Sequence, residues 1–296
     1  MNSYKDFIQN AIASNDIPVA GLEMFDSIKN IKLSDFTIDH TRDTLELYKE
    51  YLSEIMKLGE EYRNDFLRTI KFSEIIDNQS LEKEDSFLMV LYMQTVGENC
   101  IDYLLENDIK NINRDIFVEA HKHLLRGTKS QKFSNKDYRT DDNTFVVRKE
   151  AGNYIARYRA IPHKDIEEGI YRLLKLIKSD SCTDEVFLKP QIVHGMVAGL
   201  QMFDDGNTRF ARILQNIMLF EATKDNLNVS INSPALYGTR SYFPYRDKYR
   251  ELIGEIVLNP NSDSWNNWFN FNLNRTEDQL FFLGNKVEQY KRILKK

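Results

Sequence analysis

Apolar residues recur at three- and four-residue steps through most of the chain. From Leu45 to Phe66, the series Leu45, Leu47, Tyr48, Tyr51, Leu52, Ile55, Met56, Leu58, Tyr62 and Phe66 predicts one amphipathic helix. The same period predicts helices over residues 86–105, 114–125, 165–177, 185–200, 209–223, 242–257 and 264–293. Residues 31–40 are less regular and read as a linker. Residues 143–160 break the helical pattern. Thr144-Phe145-Val146-Val147 is β-prone, residues 149–153 form a turn around Gly152, and Tyr154–Tyr158 returns as a second strand. A lone hairpin is marginal in water, so it should lie on the helical body as a flap. The expectation is an all-α fold with one small β-hairpin. A boundary near residue 69 would separate an N-terminal helical segment, 1–69, from a core, 70–296.

Composition narrows the classes. At 42% hydrophobic and 29% charged, the 296 residues suit a packed domain rather than a disordered chain. No apolar run approaches the ~20 residues that span a bilayer, and the first residues lack a secretory pattern. No membrane partner is therefore expected. Two distant cysteines, Cys100 and Cys182, argue against a disulfide framework and suit a reducing cytoplasm. A net charge of −5 gives no general attraction to nucleic acid. Five histidines, His40, His121, His123, His163 and His194, are the whole supply of imidazole bases.

One stretch carries candidate chemistry: Gln201-Met202-Phe203-Asp204-Asp205-Gly206-Asn207-Thr208-Arg209-Phe210-Ala211-Arg212. Apolar helices precede and follow it, so Asp-Asp-Gly-Asn falls at a helix N-terminus. Exposed amides and the helix dipole make such a terminus an anion site. Arg209 and Arg212, three apart, share one face of the new helix and suit a polyphosphate. Asp205 is a candidate Mg²⁺ ligand. The same residues also read as an ordinary helix stop and cap, with the arginines solvating a face.

This stretch resembles the signature of the Fic (Fido) family, H-P-F-x-(D/E)-G-N-G-R-x-x-R. Phe203, Asp205, Gly206, Asn207, Arg209 and Arg212 match; Gln201, Met202 and Thr208 depart from His, Pro and Gly. Flanking segments are similar in the family's order. They are Ala120–Leu125, Asp137-Tyr138-Arg139-Thr140, Tyr158–Pro162, Tyr242–Ile253 and Trp265–Leu273. The likeness covers roughly residues 70 to 285. Upstream, Ser73-Glu74-Ile75-Ile76-Asp77-Asn78 resembles the inhibitory pattern (S/T)-x-x-x-E-(G/N), with Asp77 in place of glutamate.

The resemblance implies a Fic-type helical bundle, residues 70–296, with an inhibitory helix, a flap and C-terminal helices. It implies AMP transfer from ATP to a protein hydroxyl. Asp205 would hold Mg²⁺. Gly206, Asn207, Thr208, Arg209 and Arg212 would hold the nucleotide's phosphates. Ser73, Asp77 and Asn78 would be inhibitory, Asp77 pairing with Arg212. The flap residues Thr144, Phe145, Val146 and Val147 would dock the protein target by strand pairing. Gln201 stands where the family places its catalytic base, and an amide cannot take that proton. General-base catalysis is worth roughly 10²–10⁴ in rate. His194, seven residues upstream, lies about 10 Å away along the helix. Three readings stay open: a weakened AMP transferase, an inactive family member that binds a nucleotide or a partner, or a helical interaction domain with no ligand.

Overall fold

The computed structural model describes residues 4–14, 16–81, 99–150, 153–179, 187–227, 231, 233–236 and 238–294. Its elements run α1 (Tyr4–Ala13), α2 (Glu23–Ser27), α3 (Asp35–Met56), α4 (Glu60–Leu81), α5 (Cys100–Glu106) and α6 (Arg114–Leu125). They continue with β1 (Phe145–Glu150), β2 (Asn153–Arg159), α7 (Ile166–Lys178), α8 (Leu188–Leu200), α9 (Asn207–Leu227), α10 (Arg246–Leu258) and α11 (Ser262–Leu294). The fold is helical with one two-stranded antiparallel sheet.

Helix α8 is its axis. Every residue of α8 except Lys189 is buried, as expected for a helix apolar on all sides. Gly195 lets neighbours close in: a Cβ there would lie 2.7 Å from Ile256 Cδ1 of α10 and 3.3 Å from Trp268 Nε1 of α11. Trp265, Trp268 and Phe269 of α11 are fully buried, so this aromatic group is core packing.

The long helix expected over 45–66 is two helices. α3 ends at Met56 and α4 begins at Glu60, with Gly59 between them. The apolar period continues across the break because Leu58 is itself buried, which hid the interruption. The linker expected over 31–40 is only its first part. Ser34 Oγ accepts from Thr37 N–H at 3.1 Å and starts α3 at Asp35. Residue 70 lies within α4. Residues 239–245, partly expected as α-helix, form a 3₁₀ turn containing Pro244. Most of the helix expected over 86–105 lies outside the described residues, as does Cys182; Cys100 is buried.

The expected hairpin forms, but Lys149, Glu150 and Asn153, expected in the turn, belong to its strands, and Gly152 lies outside the described residues. Phe145 pairs with Arg159 and Val146 with Tyr158, and a bulge separates Val146 from Val147. Residues 18–20 add to β2 at its far end. Arg159 N–H donates to Pro18 O at 2.7 Å, and Ala20 N–H donates to Arg159 O at 2.9 Å. The Arg159 guanidinium also donates to the carbonyls of Ala11 and Ile12, capping α1. The N-terminal segment is thus tied to the flap.

Among the described residues, no helix is long and apolar enough to cross a membrane.

Candidate functional site

The candidate loop joins α8 to α9. α8 stops because Gln201 adopts left-handed backbone angles, φ 53° and ψ 54°. Glycine or asparagine usually fills such a position. Here the glutamine amide is locked at both ends. Its Nε2 donates to Ala198 O at 2.5 Å, and its Oε1 accepts from Asn207 Nδ2 at 3.2 Å. The buried Arg139 holds the same corner, with Nε donating to Gln201 O at 2.9 Å. Its backbone N–H donates to Met202 O at 3.3 Å.

Asn207 closes the loop. Its Oδ1 accepts from Phe203 N–H at 2.9 Å and its Nδ2 donates to Phe203 O at 2.8 Å. Gly206 carries the second left-handed backbone, φ 81°, and a Cβ there would lie 3.0 Å from Leu125 and 3.1 Å from His121 Nε2. Thr208 lies within the first turn of α9, a helical position that threonine tolerates. The replacement of glycine at 208 therefore places no strain on the backbone.

Helix α6 grips the loop from the side. His121 Nε2–H donates to Asp205 O at 2.8 Å, and its ring stacks on Phe203 with centroids 3.6 Å apart. Burial pushes the His121 imidazole down to about 3, so it is neutral at physiological pH. The Asp205 carboxylate is half-exposed and has three donors around it. Gly206 N–H reaches Oδ1 at 2.6 Å; Ser130 Oγ–H and the Arg209 guanidinium, the latter at 3.4 Å, meet at Oδ2. Arg209 and Arg212 are 1% and 2% exposed, so both are core-facing rather than solvating a surface. Arg212 lies over the Tyr249 ring at 5.9 Å.

His194, the imidazole upstream of Gln201 on the same helix, has both ring nitrogens engaged elsewhere. His194 is buried in α8, with Nε2 accepting from Tyr249 O–H at 2.7 Å and Nδ1–H donating to Gln215 Oε1. Burial lowers it to about 3. It is a neutral core bridge between α8, α9 and α10.

The inhibitory pattern lies on α4, but the pairing differs from expectation. The cations acting on Asp77 are Arg240 and Lys286, with a hydrogen bond from Ser73. Among the described residues, Arg212 acts on the carboxyl of Glu74. Glu74 is buried, accepts from Asn216 Nδ2 at 3.2 Å and from Thr239 N–H at 3.2 Å, and also bonds the Thr239 hydroxyl. Burial raises it to about 8, against the pull of Thr239. Residues 74 and 77, three apart, share one side of α4, and of the two it is Glu74 that bonds Asn216 of α9. The side chain of Asn78 lies outside the described residues.

In the flap, Thr144 precedes β1 and its carbonyl accepts from Ala160 N–H at 3.0 Å. Phe145 lies under the Arg159 guanidinium at 5.2 Å. Val146 and Val147 line a cavity of about 590 Å³ between the flap and α10, together with Tyr154, Arg250 and Glu251.

Residues 104–219 match the Fic/DOC family. The matched segment spans the flap, the loop and the first half of α9, and so includes every predicted site residue except Ser73, Asp77 and Asn78. Solved Fic structures share the fold. A Fic-1 fragment (residues 134–508) from C. elegans superposes with TM-score 0.57 at 12% identity, covering 88% of this chain and 73% of that one. A Fic family protein from Desulfovibrio desulfuricans G20 gives 0.57 at 14%, covering 86% and 76%. A Fic domain containing signaling protein from Bacteroides thetaiotaomicron VPI-5482 gives 0.51 at 12%, covering 83% and 98%. No curated protein matches the chain.

Sequence reasoning missed three residues of this site. Arg139 was visible only as part of a resembling segment. Glu74 sat inside the inhibitory pattern at a position the pattern leaves free. Ser130 had no sequence signal. It is a single hydroxyl in a lysine-rich turn, brought to Asp205 across 75 residues of chain.

Mg²⁺ binds through one or two carboxylates plus phosphate oxygens. Among the described residues, no group of three or more His, Cys, Asp or Glu converges on one point. Asp205 is a lone carboxylate at a helix N-terminus, with Oδ1 engaged by a single donor. The donor set fits an ion that arrives with a polyphosphate and not a site that binds metal alone.

Proposed function

We propose that this Fic-fold protein binds a nucleotide through its polyphosphate at the loop between α8 and α9, and that its AMP transfer is weakened by the missing base. The observation that carries the reading is the burial of Arg209 and Arg212 in the first turns of α9, beside the amides that follow Gly206. Burying two guanidinium groups is costly unless anionic partners compensate. Among the described residues, the Asp205 carboxylate lies beside Arg209, and the carboxyl that interacts with Arg212 is that of Glu74, which burial raises to about 8.

In AMP transfer, a target hydroxyl oxygen attacks the α-phosphorus, pyrophosphate leaves, and the hydroxyl proton needs an acceptor. The amides after Gly206 and the two arginines would bind and orient the phosphates. Asp205 would hold Mg²⁺, which supplies charge neutralisation on the phosphate oxygens. Gln201 would not take the proton. Its amide already bridges Ala198 and Asn207 and has no basic atom. The neutral His121 and His194 are spent on structural bonds. Rate is lost while binding geometry is kept.

The flap would take the protein target. Residues 18–20 already pair with the far end of β2, while among the described residues no strand pairs with the outer edge of β1. That edge, beside the Val146–Val147 cavity, suits an extended segment.

Helix α4 would obstruct the nucleotide. Beside Arg212, Thr239 and Asn216 the remaining space is about 10 Å³, room for one water and not for a phosphate. Glu74, bonded to Thr239 and Asn216, would be the obstructing carboxyl in place of Asp77.

Thermal melting with and without Mg-ATP tests the reading. A Glu74→Gly variant should gain melting temperature on adding Mg-ATP, and Arg209→Ala in that background should abolish the gain. The absence of any shift in Glu74→Gly would overturn nucleotide binding.

A further inference from the structure

Asp205 is held by more than its own loop. Helix α6 ends at Leu125, and Gly127 turns the chain with φ 74°. Thr128 then caps the short turn 129–133: its Oγ1 accepts from Ser130 N–H at 3.2 Å and donates to Leu125 O at 2.7 Å. Gln131 Oε1 accepts from Gly127 N–H at 3.0 Å and locks the same corner. Ser130 is 4% exposed, and this corner delivers its hydroxyl to Asp205 Oδ2.

A carboxylate offers about four lone-pair directions. Among the described residues, Ser130 and Arg209 meet Oδ2, and Gly206 N–H meets Oδ1. One direction on Oδ1 remains for a cation. Arg209, in the first turn of α9, already brings its guanidinium to 3.4 Å from Oδ2, so a two-pronged pair between them is within reach. Such a pair would engage both oxygens and leave the cation no place.

We infer that Ser130 is a positioning residue. Its hydroxyl anchors Asp205 Oδ2, keeps the carboxylate from rotating into a two-pronged pair with Arg209, and so leaves Oδ1 open to a phosphate-bound divalent cation. The inference rests on the nucleotide reading above. It adds a residue outside the loop, brought from the α6 corner, that sets the metal dependence of binding. Ser130 does not touch the nucleotide in this assignment.

ATP affinity of the full chain is measured in the Glu74→Gly background, in EDTA and across a Mg²⁺ titration, with Ser130, Ser130→Ala and Ser130→Thr. The ratio of affinities with and without Mg²⁺ is the readout, because a merely structural loss would lower both. Ser130→Ala should raise the Mg²⁺ midpoint by about tenfold, the size typical of residues that orient a metal ligand. Ser130→Thr keeps the hydroxyl and should restore the midpoint. An unchanged midpoint in Ser130→Ala would overturn the inference. ATP bound by neither the parent nor its variants would instead overturn the nucleotide reading. A crystal structure of Ser130→Ala separates the two without any ligand. The Asp205 carboxylate should turn so that both oxygens face Arg209, and a carboxylate left in place would sink the proposal.

Discussion

The loop between α8 and α9 has two halves that share a scaffold and differ in chemistry. The second half, Asp205 to Arg212, turns amides, a half-exposed carboxylate and two arginines toward one helix N-terminus. The first half, Gln201 to Phe203, is just as densely bonded, yet every polar atom of its leading side chain points back into the protein. Arg139 and Asn207 secure the first half much as His121 and Ser130 secure the second. The difference teaches that loop geometry and proton chemistry are separable. The backbone needed to present a group at position 201 survives without a group that titrates.

The comparison can be broken or sharpened at several points. The largest effect is expected at Gly206. Gly206→Ala forces a side chain into a left-handed backbone against Leu125 and His121, and should cost about 3 kcal/mol by urea unfolding. A loss near zero would show that the second half is not a rigid cradle. Asn207 ties the halves together. Asn207→Ala leaves the Phe203 backbone groups without their partners and should cost about 2 kcal/mol.

pH addresses the buried groups around both halves. His121 and His194 sit near 3 when folded and near 6.5 when unfolded. Below 6.5 the unfolded chain binds more protons, so their contribution is full above 6.5 and is lost as pH falls toward 3. Each adds a slope of about 1.4 kcal/mol per pH unit in that window. Glu74 has the opposite sign. Raised to about 8 from 4.5, its contribution is full below 4.5 and is lost as pH rises through 8. Stability should therefore peak near pH 6.5 and decline toward 8. Glu74→Gln should abolish the alkaline decline, and melting curves at pH 6, 7 and 8 check it. The smallest effect is expected at Thr208. Because the position is helical, Thr208→Gly should lower stability by about 0.5 kcal/mol. A gain would mean that threonine strains the cradle.

Much of this was legible in the sequence. The 3.6-residue period found α6 and α7 almost to the residue, since each is amphipathic. The β-prone run at Thr144–Val147 found the hairpin. The loop was legible because Asp-Gly-Asn between two apolar helices combines a turn signal with a cap. The break at Gly59 was not, because Leu58 is buried and keeps the apolar rhythm through the interruption. The Glu74–Arg212 relation was not legible either. It depends on the rotation of α4 against α9, set by packing rather than by spacing. Ser130 and the tie between residues 18–20 and β2 arise from contacts across 75 and about 140 residues, which no local pattern encodes.

The central claim is that the phosphate side of this site is retained while its proton acceptor is absent. The most direct measurement is incorporation of label from α-labelled ATP into protein, comparing Glu74→Gly with the double variant Glu74→Gly, Gln201→His. Histidine tolerates the left-handed backbone at 201 better than most residues. The account predicts at least about tenfold more label in the double variant, the lower part of what a restored general base supplies. Equal labelling of the two proteins, at any level including none, would contradict it.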